Sequence, residues 1–232
     1  MAQSRMLFGA TIFLASFLLF LVEPMAAKQL LPVFGGSAAV WITCLVFFQT
    51  ALLCAYLFAH WLARYPHWKL HLCMLLLAAA AALAWAVEWS SPAQDSGHPV
   101  LNIFAALGVS IGLPFLMLGA TSPLLQVWLA RVETGGVPYR LFALSNLASL
   151  LALGLYPTVI EPNLTLHAQR IGWCCGFVAF AVLTAVLASR TRGLNPERPA
   201  EEQSVEAPSS IGRKLLWLAL PMCARLQLSS GS

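Results

Sequence analysis

The sequence predicts an all-α fold, a polytopic membrane helical bundle with six transmembrane helices and an incomplete seventh. Three observations carry this. Of 232 residues, 59% are apolar and only 9% are Asp, Glu, Lys or Arg, against roughly 25% charged in an ordinary soluble domain. Mean hydropathy is +0.78. The few charges are crowded together, leaving charge-free windows at 6–22, 29–63, 70–87, 96–130, 141–160 and 171–189. A hydrocarbon core of about 30 Å takes about 20 helical residues. A charge near its centre costs at least about 2.5–3.5 kcal/mol. Repeated windows of this length fit a bilayer, and they exceed the apolar runs of soluble core helices. The same composition excludes a soluble enzyme and a disordered chain. A net charge of +4 with scattered basic residues gives no nucleic-acid footprint.

Span 1 is expected from Met6 to about Val22, or to continue past Glu23-Pro24. It resembles a signal peptide only superficially, because Glu23-Pro24 sits where a cleavage region is small and neutral. Gly35-Gly36 supplies the turn into span 2, Ala38–Leu62, rather than an anion-binding nest. Span 3 covers Leu70–Trp89. Span 4 runs uncharged from Val100 to Ala130 and is interrupted by Pro114 and Pro123. It reads as one kinked span or as a helix plus a re-entrant piece, and Gly119-Ala120-Thr121-Ser122-Pro123 is the candidate polar turn. Span 5 covers Leu141–Ile160 and span 6 covers Ile171–Ser189. A seventh begins at Leu215 and meets Arg225 after ten residues.

The domain reading is a six-helix transmembrane domain over 1–189, a polar linker over 190–212, and an incomplete span with an aberrant tail over 213–232. The linker holds Pro196, Pro199 and Pro208 among four Glu and three Arg, the composition of a solvated connector. Basic residues fix orientation. Arg5, Arg64, Lys69, Arg131, Arg140, Arg190, Arg192, Arg198, Arg213 and Lys214 fall on one side, and Lys28 and Arg170 on the other. The N-terminus and linker are therefore expected in the cytoplasm, with span 4 counted once. The cysteines, Cys44, Cys54, Cys73, Cys174, Cys175 and Cys223, lie in or beside spans. They read as small packing residues, with no disulfide framework and no metal-ligand spacing.

The layout of six spans with both ends inside, a polar linker and a further span matches the first half of a major-facilitator-type protein. The Gly/Asp/Arg-rich turn usual between spans 2 and 3 is replaced by Ala63-Arg64-Tyr65-Pro66-His67-Trp68-Lys69. More specific stretches are Phe17-Leu18-Leu19-Phe20-Leu21-Val22-Glu23-Pro24, Leu31–Trp41, Thr43–Gln49, Ala120–Gln126, Pro138–Leu150 and Tyr156–Pro162. Together they resemble the bacterial fused major-facilitator/spermidine-synthase-like membrane proteins over about residues 9–190, resuming weakly at 213–222. The resemblance implies a bacterial inner-membrane half joined to a later aminopropyltransferase-like domain of Rossmann type. No Gly-x-Gly-x-x-Gly follows a strand-like run here, so no cofactor is expected and this chain is not expected to catalyse by itself. Cys223–Ser232 turns polar where the family continues into a complete span, so the chain reads as truncated.

Candidate site residues are Glu23, Lys28, Gln126, Asn146 and Glu161. Glu23 and Glu161 each precede a proline, which disfavours helix at the preceding residue and frees a carbonyl. A carboxylate at such a break is a candidate cation or proton ligand; the plainer reading is an interfacial acid meeting water. Lys28, five residues after Glu23, is a candidate local partner for it. Gln126, Asn146, Thr121 and Ser122 read as hydrogen-bonding glue between helices, or as solute-lining groups if Gln126 and Asn146 share a cavity with Glu23. Gly108/Gly112 and Gly172/Gly176 have the spacing for close helix approach. His60, His67 and His71 lie beside Trp61, Tyr65 and Trp68 and read as an interfacial belt rather than a metal site. Asn163-Leu164-Thr165 is a glycosylation sequon set too near the membrane to count.

Three functions compete. The chain is the membrane domain that anchors or feeds an aminopropyltransferase-like domain. Alternatively, it is a transporter-like half that binds a small cationic solute such as a polyamine, paired with a second helical half. Third, it is a structural partner that completes itself by oligomerising. The lipid bilayer is the partner common to all three.

Overall fold

The computed structural model describes residues 2–65, 68–87, 98–132 and 139–191. These residues form helices and no strand: α1 (Ala2–Phe34), α2 (Ala38–Arg64), α3 (Trp68–Val87), α4 (Pro99–Leu107), α5 (Leu113–Val132), α6 (Tyr139–Leu155), a single turn α7 (Glu161–Asn163) and α8 (Leu166–Thr191). Two π-helical segments, Gly108–Gly112 and Tyr156–Ile160, join α4 to α5 and α6 to α7. Six runs are long and apolar enough to cross a membrane: Met6–Phe34, Ala38–Arg64, Lys69–Val87, Pro99–Leu125, Leu141–Asn163 and Leu166–Arg190. Each contains or overlaps one charge-free window, because a helix satisfies its own backbone where no water can do so. The expected seventh span and the linker beyond Thr191 lie outside the described residues.

Two boundaries need comment. Span 1 takes the longer of its two readings: α1 continues past Glu23-Pro24 to Phe34, with Pro24 and Pro32 inside it. Each proline removes one N–H and leaves one carbonyl without its usual donor, which neighbouring helices make tolerable in a bundle. Span 6 begins at Leu166, so Arg170 lies within α8 rather than before it. The fourth span is one helical run: Gly119–Pro123 lies inside α5 and makes no turn. Its irregularity is instead the π segment just ahead of Pro114. Inserting a residue into the hydrogen-bond ladder is a recognised cause of helix bending.

The Gly35-Gly36 turn is as expected. Gly35 has φ +77°, the left-handed conformation that ends helices at little cost only for glycine. Its N–H donates to the Leu31 carbonyl at 2.9 Å. Ser37 then caps α2, its hydroxyl accepting from the Val40 N–H at 3.4 Å.

All described residues fall within one compact unit, Met1–Leu194. Within it α1 packs on α6, α8 and α5, α2 on α5 and α4, and α3 on α8 and α5. Numbered by span, the principal pairs are 1 with 5, 2 with 4, 1 with 6, 3 with 4, 1 with 4 and 3 with 6. This set is unchanged when spans 1–3 are exchanged for spans 4–6. The α1–α6 pair runs parallel. Gly9 lies against Leu144, Ser16 against Ser145 and Lys28 against Glu161, the numbers rising together. A central core joins Leu18, Val22 and Met25 of α1 to Phe47, Phe48, Trp85, Phe115, Trp173, Phe177 and Phe180.

Glycines set the closest approaches. A Cβ on Gly119 would meet the Ala55 Cβ at 2.9 Å, and one on Gly176 would meet Leu18 Cδ2 at 2.9 Å. Of the two predicted small-residue pairs, only Gly176 acts this way. Gly172 has nothing within 4 Å, and Gly108 and Gly112 bound the π segment with only loose contacts.

Candidate functional site

Glu23 lies well inside α1. The helix extends 17 residues back to Met6 and 11 forward to Phe34, about 26 and 17 Å at 1.5 Å per residue. It is half-buried. Seven-residue steps from Gly9 through Ser16 lead to Glu23, continuing the stripe that meets α6 nearer the helix start. The predicted break after Glu23 is therefore absent, and the carboxylate sits deeper than a span end.

Helix continuity also separates Glu23 from Lys28. Five residues turn the helix by about 500°, leaving the two side chains about 140° apart around the axis. Lys28 instead reaches across to α7 and donates to Glu161 Oε1 at 2.8 Å, with side-chain exposures of 38% and 41%. Glu161 opens the single turn α7, with Pro162 in its first turn. The proline there continues the run begun by the π segment rather than breaking it.

The five candidate residues are not gathered. Lys28 and Glu161 are paired. Asn146 is exposed on the outer side of α6, beside Ser145, which faces α1. Gln126 falls in α5, its side chain outside the described residues. Thr121 does not link helices: its hydroxyl donates to the Met117 carbonyl of its own helix at 2.7 Å. Ser122 is half-buried.

The links between helices come from residues with no distinctive pattern. Ser16 Oγ and Ser145 Oγ are 2.7 Å apart, joining α1 to α6. Trp173 Nε1 donates to the Leu18 carbonyl at 2.9 Å, joining α8 to α1. Trp173 also meets Trp85 edge-on, with ring centroids 5.4 Å apart. Gln169 is buried, its amide donating to the Leu164 carbonyl at 2.9 Å across the start of α8. Heptad counting on α1 and α6 could have flagged the Ser16–Ser145 pair only once the parallel register was known.

The histidine group divides. His60 is exposed, near Trp61 and Tyr65, whose rings lie 6.2 Å apart. His71, two residues inside the Lys69–Val87 run, is buried at 3% exposure. His67 lies outside the described residues. Among the described residues no three His, Cys, Asp or Glu converge as a metal site. Cys44 and Cys174 are buried and Cys54, Cys73 and Cys175 exposed, all as free thiols.

Comparison with known proteins finds no matching family model, no matching characterised relative and no matching solved structure.

Proposed function

We propose that this chain is a transporter-like helical half of the major-facilitator type that binds a small cationic solute such as a polyamine. The packing pattern supports this most: two sets of three spans make interchangeable contacts. With an odd number of spans per set and a serially threaded bilayer, the two sets have opposite orientations. Inverted repeats of this kind build the central sites of many secondary transporters. An ionisable side chain deep in a span marks a solute or proton pathway by default, and Glu23 is that side chain here. Lys28–Glu161 ties the same end of α1 to α7. The membrane is a bacterial inner membrane, with the N-terminus and the 190–214 stretch cytoplasmic on the basic-residue bias.

The resemblance of Phe17–Pro24, Pro138–Leu150 and the other stretches supports a second reading, in which this bundle anchors or feeds an aminopropyltransferase-like domain in a longer protein. Both readings make the bundle itself non-catalytic.

Equilibrium dialysis of labelled spermidine against the detergent-purified chain tests the first reading. Saturable binding weakened at least about tenfold by Glu23→Gln, a loss of about 1.4 kcal/mol, and unaltered by Asn163→Ala is expected. No binding, or equal binding by Glu23→Gln, removes the solute role of this carboxylate. Impermeant maleimide reacting with Ser4→Cys only in inside-out vesicles, and with Asn163→Cys only in right-side-out vesicles, checks the orientation.

A further inference from the structure

The outer face of α2 carries a stripe of exposed side chains. Ile42, Gln49 and Tyr56 recur every seven residues, and Val46, Leu53 and His60 follow each by four. Ile42 and Leu53 are 59% exposed, Val46 50% and Tyr56 51%. The spacing is that of a helix seam that packs on another helix. Gln49 lies 11 residues after Ala38 and 15 before Arg64. That puts it about 17 and 23 Å from the span ends, inside a hydrocarbon core of about 30 Å.

Lipid chains offer an amide nothing. The exposed Thr50 and Thr158 hydroxyls avoid the problem by donating to Val46 and Gly154 of their own helices, each at 2.7 Å. Gln49 makes no such bond among the described residues. An amide facing lipid at this depth calls for a protein partner.

We propose that the Ile42–His60 stripe of α2 is a dimerisation seam, occupied by the same stripe of a second copy of this chain. A two-fold axis along the membrane normal keeps every residue at its own depth, so Gln49 meets Gln49. An amide carries both donors and an acceptor, so two identical amides satisfy one another reciprocally. A single polar residue within an otherwise apolar seam also fixes register. Asn146, an exposed amide on α6, lies off this stripe and serves as the comparison. The seam is independent of the solute reading and stands or falls without it.

The test is energy transfer between donor- and acceptor-tagged copies of the chain in phosphatidylethanolamine/phosphatidylglycerol liposomes, over a range of protein-to-lipid ratios. Transfer that rises with ratio is expected. Gln49→Leu should weaken association about five- to thirty-fold, and Asn146→Leu should leave it unchanged, with helix content equal in all three. Leu53→Cys, with Cys54, Cys73 and Cys175 replaced by Ser, should trap a disulfide-linked pair of twice the chain mass. Absent transfer in the unmodified chain, or Gln49→Leu equal to it, overturns the seam. A Leu53→Cys crosslink in native membranes to a chain of different mass assigns the face to another protein and also overturns the proposal.

Discussion

Lys28 Nζ donates to Glu161 Oε1 at 2.8 Å, joining two residues 133 positions apart in the chain. The pair closes one end of the α1–α6 contact, opposite the end where Gly9 lies against Leu144. Both side chains are more than a third exposed, which limits such a pair to about 0–1 kcal/mol. Lys28→Glu and Glu161→Lys should each lower the melting temperature in detergent, and the swapped double variant should recover it. Absence of recovery means that the two groups do not act on one another.

Close packing makes a sharper prediction at glycine. At Gly119 an added Cβ would meet the backbone-attached Ala55 Cβ at 2.9 Å, and that atom cannot rotate away. Gly119→Ala should therefore destabilise by about 1–3 kcal/mol through overpacking. At Gly176 the obstacle is the end of the Leu18 side chain, which can shift, so Gly176→Ala should cost less. Gly154→Ala and Gly172→Ala meet nothing within 4 Å and should be neutral or slightly stabilising. Thermal unfolding of the four variants ranks them.

The tryptophan pair separates a bonded indole from an unbonded one. Trp173 Nε1 donates to the Leu18 carbonyl, whereas the buried Trp85 Nε1 has no partner among the described residues. Trp173→Phe should cost about 1–3 kcal/mol, counting the bond and the volume lost. Trp85→Phe removes an unsatisfied donor and should cost less. Equal losses would show that packing, rather than the hydrogen bond, sets the value of Trp173.

Ser16 and Ser145 form the hydroxyl link between α1 and α6. A double-mutant cycle with Ser16→Ala and Ser145→Ala should give a coupling near about 0.6 kcal/mol, the average for polar contacts between membrane helices. A coupling of zero would make them independent packing residues.

The spans were legible because charge is excluded from hydrocarbon, and that exclusion writes itself directly into sequence. The run through Gly119–Pro123 reads correctly as one span for the same reason, since a turn in lipid would need polar side chains that are missing. Proline at position 24 misled because the penalty for its missing N–H applies to an isolated helix, while α1 is enclosed by α5, α6 and α8. Lys28 was matched to Glu23 because the nearest opposite charge in sequence is the natural partner when register is unknown. Only the parallel pairing of α1 with α6 brings Glu161 into reach. The Ser16–Ser145 and Trp173–Leu18 links are invisible for that reason: each depends on a long-range register that no local pattern encodes.

The separation between α1 and its partner α6 also sets a schedule for biosynthesis. Glu161 is polymerised 133 residues after Lys28, which at ribosomal rates is roughly 7–27 s. During that interval the first helix waits without the neighbour that neutralises its lysine and meets its serine.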